Sequence, residues 1–250
     1  MLTVGDPFPP FDLAAVTGWD EPTLSRVRSA DLAGRWLVVF FWPMDFTSVC
    51  PTEVYGFDRA APELSRLDTA VLGVSIDSAH VHLAWRRHHP HLRHLSIPLA
   101  SDIKRELVTA TGTFDRATGV ALRATFVVDP GGTIRYVSVH DLGTGRNVDE
   151  VVRTVAALQS GGPTPCGWQP GDALADPTDL ADSADPTSPT GSASPTATVG
   201  PAGTVGPVGS ASPTGTVGPT SPAVGPTGSD TAPGLEHGGA APTWEPARTR

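Results

Sequence analysis

The sequence predicts an α/β sandwich built on a mixed central sheet, followed by a disordered C-terminal tail. Three observations lead there. A continuous apolar run of strand length occurs at residues 36–42, and largely apolar strand-length segments at 70–76 and 125–128. Segments with helical apolar spacing lie between and after these runs. Finally, the composition changes abruptly near residue 171, so that only the first part of the chain carries enough large apolar side chains to bury a core.

Trp36-Leu-Val-Val-Phe-Phe-Trp42 is apolar throughout, the pattern of a strand buried on both faces. It stops at Pro43, which cannot donate to a central ladder. After Cys50-Pro51 the period changes to that of a helix, with Val54, Phe57, Ala61, Leu64 and Leu67 on one side. Pro51 falls at the first turn, where its missing N–H costs nothing, and Glu53 lies near the positive end of the helix dipole. Ala70 to Ile76 reads as a second buried strand ending at Asp77. A His-rich helical stretch follows, then Ile97-Pro98-Leu99 and a short helix near Ile103 to Thr109. Thr125 to Val128 is a third strand, turned back at Asp129-Pro-Gly-Gly132 into a hairpin with residues 133–139. Val148, Val151, Val152, Val155 and Leu158 share one face of a last helix, which Gly161-Gly162-Pro163 ends. Strands alternating with helices, then a hairpin and a helix, make a thioredoxin-like arrangement.

The domain therefore spans residues 1–171, and residues 172–250 form a low-complexity Pro/Thr/Gly/Ser-rich tail. From Thr187 to Ser229 there is no charged residue, no aromatic, no Leu and no Ile. Near-repeats such as Thr-Val-Gly-Pro, at Thr198, Thr204 and Thr216, mark low complexity and not a stacked repeat fold. Of the net charge of −9, the first 170 residues contribute −3 and the rest −6. No basic stripe points to nucleic acid or an anionic membrane, and no segment approaches the ~20 apolar residues that span a bilayer. Met1 to Pro10 carries an acid and three prolines where an export signal needs a basic start and an apolar run. A cytoplasmic location is expected, where two cysteines suggest chemistry more than a structural disulfide.

The informative segment is Pro43-Met-Asp-Phe-Thr-Ser-Val-Cys-Pro-Thr-Glu53. Cys50 sits in the turn that opens a helix directly after a buried strand, where backbone N–H groups and the helix dipole favour negative charge on sulfur. A thiolate is the form that attacks peroxide. Thr47, three residues earlier, can bring its hydroxyl beside the sulfur and accept a hydrogen bond from the peroxide, while Pro43 offers an apolar wall. Arg123, at the entrance of the 124–128 strand, is the candidate positive charge, because a guanidinium stays charged and presents a planar fork of donors.

Asp45-Phe-Thr-Ser-Val-Cys-Pro-Thr-Glu53 resembles the peroxidatic motif of peroxiredoxins of the alkyl hydroperoxide reductase C type. His82-Leu-Ala-Trp85, Arg123-Ala-Thr-Phe-Val-Val-Asp129 and the opening Val4-Gly-Asp-Pro-Phe-Pro9 resemble further segments of that family, in the expected order. The resemblance implies that Cys50 is the peroxidatic cysteine, with Pro43, Thr47 and Arg123 completing the peroxide site and Glu53 supporting it. Thr164-Pro-Cys-Gly-Trp-Gln-Pro-Gly171 is similar to the family's resolving segment, which makes Cys166 the resolving cysteine. The proline precedes this cysteine instead of following it, and the spacing to Trp168 is shorter than usual. By the same resemblance the substrate is a hydroperoxide and the Cys50–Cys166 disulfide forms between the subunits of a homodimer, which can assemble further into a ring. A thioredoxin-like or other dithiol regenerates the enzyme, and no metal, haem or flavin cofactor is required. Two alternatives stay open: a one-cysteine peroxidase resolved by an external thiol, and a peroxide-sensing interaction protein.

The family members most easily over-oxidised carry a Gly-Gly-Leu-Gly insertion and a terminal Tyr-Phe helix. Here His91-Leu-Arg-His-Leu95 occupies the first region and the tail replaces the second, which implies resistance to sulfinic inactivation. Six of the eight histidines fall between His80 and His94. They are read as a helix and loop instead of a metal site, since no carboxylate or cysteine lies among them and Pro90 breaks the spacing.

Overall fold

Strand β3, Trp36–Phe41, lies at the middle of the structure, and its side chains alternate between two apolar cores. Leu37, Val39 and Phe41 face one core, with Phe11, Leu72 and Phe126. Val38, Phe40 and Trp42 face the other, with Phe57, Trp85 and Val155. Helices or loops cover both faces of the strand, so it has no polar side and its sequence shows no alternation. The computed structural model describes residues 1–176.

Around β3 runs a seven-stranded sheet in the order β2 (Thr23–Arg28), β1 (Asp12–Thr17), β5 (Leu99–Ser101), β4 (Thr69–Ser75), β3, β8 (Arg123–Val128) and β9 (Ile134–His140). Strand β4, Thr69–Ser75, is parallel to β3, and β5, Leu99–Ser101, is parallel to β4. On the other side β8, Arg123–Val128, runs antiparallel, with Leu37 opposite Val128 and Phe40 opposite Thr125. It turns into β9, Ile134–His140, through the Asp129–Gly132 turn that the sequence predicts. Gly73 on β4 is required by packing, because a Cβ there would lie 2.8 Å from both the Phe40 and Trp42 rings.

Helices α1, Cys50–Arg66, α2, Ala79–His88, and α4, Val148–Gln159, bury their apolar faces in the second core. The short α3, Glu106–Ala110, starts later than expected. Asp102 explains the offset, since its carboxylate accepts the N–H groups of Glu106, Leu107 and Val108 and so fixes where the helix begins. Residues 114–115 and 120–121 pair as a small separate ribbon, β6 and β7.

Strands β1, Asp12–Thr17, and β2, Thr23–Arg28, form an antiparallel edge that the apolar pattern does not announce. Only Ala15, Val16 and Val27 of these strands are buried, so their sequence looks like loop. Hydrogen bonding continues past residue 171, with Ala175 N–H donating to the Pro163 carbonyl. The rest of the predicted tail lies outside the described residues. Among the described residues, no helix is long and apolar enough to cross a membrane.

Candidate active site

Cys50 is the first residue of α1 and is fully buried as a free thiol. Pro51 occupies the first turn without a missing bond, and the Thr52 hydroxyl turns back to the Val49 carbonyl at 2.6 Å. The segment from Pro43 to Val49 carries the chain from the end of β3 to this helix, passing through a left-handed backbone at Phe46 (φ 55°).

Arg123 enters from the start of β8. Its Nη1 donates to the Cys50 sulfur at 3.4 Å and to Glu53 Oε2 at 2.5 Å, while Nε donates to the Leu142 carbonyl. Its exposure is 3 %, so it does not belong to an ordinary surface ion pair. Glu53 stands one turn along α1 from Cys50 and also accepts from Arg146. Nε reaches Oε1 at 2.8 Å, Nη2 reaches Oε2 at 3.0 Å, and the backbone N–H of Arg146 reaches Oε1 at 3.1 Å. Arg146 further donates to the carbonyls of Phe41 and Ala124, and its guanidinium lies over the Phe40 and Phe57 rings.

Burial alone would raise the pKa of Glu53. The hydrogen bonds and charge of Arg146, joined by Arg123, outweigh that and hold the carboxyl below its ordinary value. Burial likewise works against charge on Arg123, but the Cys50 sulfur and Glu53 hold its guanidinium above the ordinary value. A buried carboxylate thus fixes two cations, one of which touches the sulfur.

Pro43 is buried at the end of β3. The Thr47 hydroxyl donates to the Met44 carbonyl at 3.0 Å, so its single proton is engaged there and its lone pairs remain acceptors.

Beneath this loop sits a buried polar pair. Asp45 Oδ1 accepts from Trp42 Nε1 at 2.9 Å, and Oδ2 lies 2.7 Å from His82 Nδ1. His82 Nε2 meets the Ala100 carbonyl at 3.2 Å, and a carbonyl only accepts, so that nitrogen carries hydrogen. Asp45 N–H is taken by Asp77, which ties the loop to the end of β4. Burial raises the pKa of Asp45 despite its bonds to His82 and Trp42. His82 is therefore a buried support for the loop. Among the described residues, no group of three or more His, Cys, Asp or Glu side chains could hold a metal ion.

The structure brings Cys50, Glu53 and Arg123 together, with Pro43 and Thr47 on the adjoining loop. Cys166 stands apart, exposed beyond α4 as a free thiol. The residue that sequence reasoning misses is Arg146, and the lone signal for it is an arginine just before the Asn147 cap of α4.

The chain is similar to known proteins along most of its described length. Residues 4–137 match the AhpC/TSA family. The chain is 45 % identical over 189 residues to an alkyl hydroperoxide reductase C of Mycolicibacterium smegmatis, covering 72 % of this chain and 96 % of that protein. It is 41 % identical over 181 residues to peroxiredoxin-2 of Bos taurus, covering 70 % and 89 %. Among solved structures, Mycobacterium bovis AhpC aligns with a TM-score of 0.63 at 44 % identity, covering 68 % of this chain and 99 % of that one. The reduced 2-Cys peroxiredoxin of Plasmodium vivax aligns with a TM-score of 0.65 at 29 % identity, covering 69 % and 92 %.

Proposed function

Because the chain belongs to the AhpC/TSA family and is a thiol-dependent peroxidase of the peroxiredoxin kind, we propose that Cys50 is its peroxide-attacking residue and Cys166 the thiol that resolves it. The observation that carries this reading is the bond from Arg123 Nη1 to the Cys50 sulfur at 3.4 Å, in a guanidinium fixed by Glu53.

In this reading the Cys50 thiolate attacks one oxygen of hydrogen peroxide or an organic hydroperoxide. The S–O bond forms as the O–O bond breaks, and the departing oxygen takes a proton to leave as water or alcohol. Cys50 becomes a sulfenic acid. Arg123 Nη2, which makes no bond to another described residue, is the donor for the leaving oxygen, and the Thr47 hydroxyl accepts from the peroxide O–H. Pro43 lines the site without offering a competing donor. Cys166 then displaces hydroxide from the sulfenic sulfur to give a disulfide, and a thioredoxin-like or other dithiol restores both thiols. The exposure of Cys166 suits an exchange between the subunits of a homodimer or ring. The cycle is placed in the cytoplasm, where thiol reductants operate.

Peroxide turnover with a general dithiol tests the scheme. Cys50→Ser should abolish consumption, and Arg123→Met should slow the attack by about 100-fold or more. Cys166→Ser should leave one oxidation event per chain and remove the peroxide-induced covalent dimer on non-reducing electrophoresis. A Cys166→Ser protein that turns over like wild type would replace this scheme with resolution by an external thiol.

A further inference from the structure

Cys166 sits on a strap, residues 160–176, that folds back after α4. The strap is held by its own bonds. Trp168 N–H donates to the Pro165 carbonyl, closing a turn across Cys166 and Gly167, and Gly167 takes the left-handed backbone (φ 74°) that this turn needs. The Trp168 ring is 6 % exposed, and its Nε1 donates to the Asp172 carbonyl at 3.1 Å.

Among the described residues, one side chain outside the strap hydrogen-bonds to this turn. Arg153, on α4, donates from Nη1 to the Trp168 carbonyl at 3.0 Å. Its other two nitrogens are taken by Glu150, with Nε to Oε2 at 2.6 Å and Nη2 to Oε1 at 2.7 Å. A bidentate carboxylate thus fixes the plane of the guanidinium, which leaves Nη1 to donate to the strap. The hydrogen bond to Glu150 is the main influence favouring the charge of Arg153, and Cys166 is among the smaller ones, so the sulfur lies within electrostatic reach of the guanidinium.

We propose that Arg153 is a positioning residue for the resolving step, holding the Pro165–Trp168 turn so that the Cys166 sulfur is presented in one orientation to a Cys50 sulfenic acid. The proposal rests on the reading of Cys166 as the resolving thiol. In that step the Cys166 sulfur forms the S–S bond while the Cys50 S–O bond breaks. The hydroxide that leaves is protonated by the hydrogen given up from Cys166, so that Cys166 is oxidised, the sulfenic sulfur is reduced, and water is released. The gain from the clamp is one of geometry. A cysteine between a proline and a left-handed glycine, with no tether from its backbone, samples many directions, whereas displacement at sulfur needs an aligned approach.

Rapid mixing of the reduced full chain with hydrogen peroxide separates the two events, with tryptophan fluorescence and acid-quenched mass spectrometry as readouts. Arg153→Met should leave sulfenic acid formation at the wild-type rate and slow disulfide formation about ten-fold. Arg153→Lys keeps the charge but cannot hold Glu150 and Trp168 together, and should recover only part of the loss. Glu150→Gln should fall between wild type and Arg153→Met. Wild-type disulfide formation in Arg153→Met would overturn the role of Arg153 while leaving Cys166 as the resolving residue. Equal slowing of both events would also overturn it, because it would mark a general disturbance of the fold. If the wild-type protein forms no Cys50–Cys166 disulfide at all, the reading of Cys166 itself fails, whatever the variants do.

Discussion

Glu53 and Arg146 face each other through two parallel bonds, Nε to Oε1 at 2.8 Å and Nη2 to Oε2 at 3.0 Å. The pair is buried on both sides, with side-chain exposures of 2 % for Glu53 and 1 % for Arg146. Since Arg146 also holds the Phe41 and Ala124 carbonyls, it joins the first turn of α1 to the ends of β3 and β8. A lysine keeps the charge but cannot reach these partners at once. Arg146→Lys should therefore lower stability by about 3 kcal/mol, the cost of opening a buried ion pair. It should also slow peroxide attack, because Glu53 no longer fixes Arg123. Urea unfolding and peroxide kinetics on the same variant check both effects.

The depressed pKa of Glu53 has a signed consequence. Its contribution to stability is present above the ordinary glutamate value of 4.5 and disappears as pH falls through the lower value it takes in the fold. Asp45, Asp58 and Asp102 act in the opposite direction, since burial raises their pKa values and their contributions fade as pH rises. The difference between wild type and Glu53→Gln isolates the first effect. The stability advantage of wild type should shrink as pH is lowered below 4.5, and an advantage that stays constant with pH would contradict this.

The Asp45–His82 pair carries no net charge wherever the proton between them resides, because His82 Nε2 must keep its own hydrogen for Ala100. An asparagine can accept from Trp42 with its carbonyl and donate to His82 Nδ1 with its amide. Asp45→Asn should thus cost no more than about 1 kcal/mol and leave peroxide attack near wild type. Asp45→Leu strips the buried Trp42 Nε1–H and His82 Nδ1 of their partner, and should cost about 3 kcal/mol. Thermal unfolding of the two variants separates these outcomes.

The absence of the Gly-Gly-Leu-Gly insertion predicts slow over-oxidation. Mass spectrometry after repeated turnover at modest peroxide should find Cys50 as thiol or disulfide. Accumulated sulfinate within a few cycles would contradict this.

Much of this molecule is legible in its sequence, and the parts that are not share a cause. Strands β3, β4 and β8 show as apolar runs because the sheet is covered on both faces, and α1 and α4 show by the spacing of their buried residues. Strands β1 and β2 stay hidden because an edge pair buries too few side chains to leave a pattern. At the site, Arg123 and Glu53 stand in recognisable motifs. Arg146 lies 93 residues from Glu53, and its loop meets α1 only after the β8–β9 hairpin has been folded against β3. Asp45 and His82 each stand in a motif, yet their contact crosses 37 residues and depends on α2 packing under the loop. Long-range polar contacts leave no local trace in a sequence.

The arrangement of two guanidiniums on one carboxylate bears on the proposed cycle. With an anionic sulfur, the four groups balance electrically inside a pocket nearly closed to water. In the proposed cycle, turning the sulfur into a neutral sulfenic acid removes one of the two negative charges and leaves the Glu53 carboxylate facing two buried cations. Within that cycle this surplus charge weighs against the closed pocket, and the buried sulfur at the root of α1 has to become accessible before a second thiol can reach it. On that reading the peroxide, by discharging the sulfur, also removes part of the charge balance that stabilises its pocket.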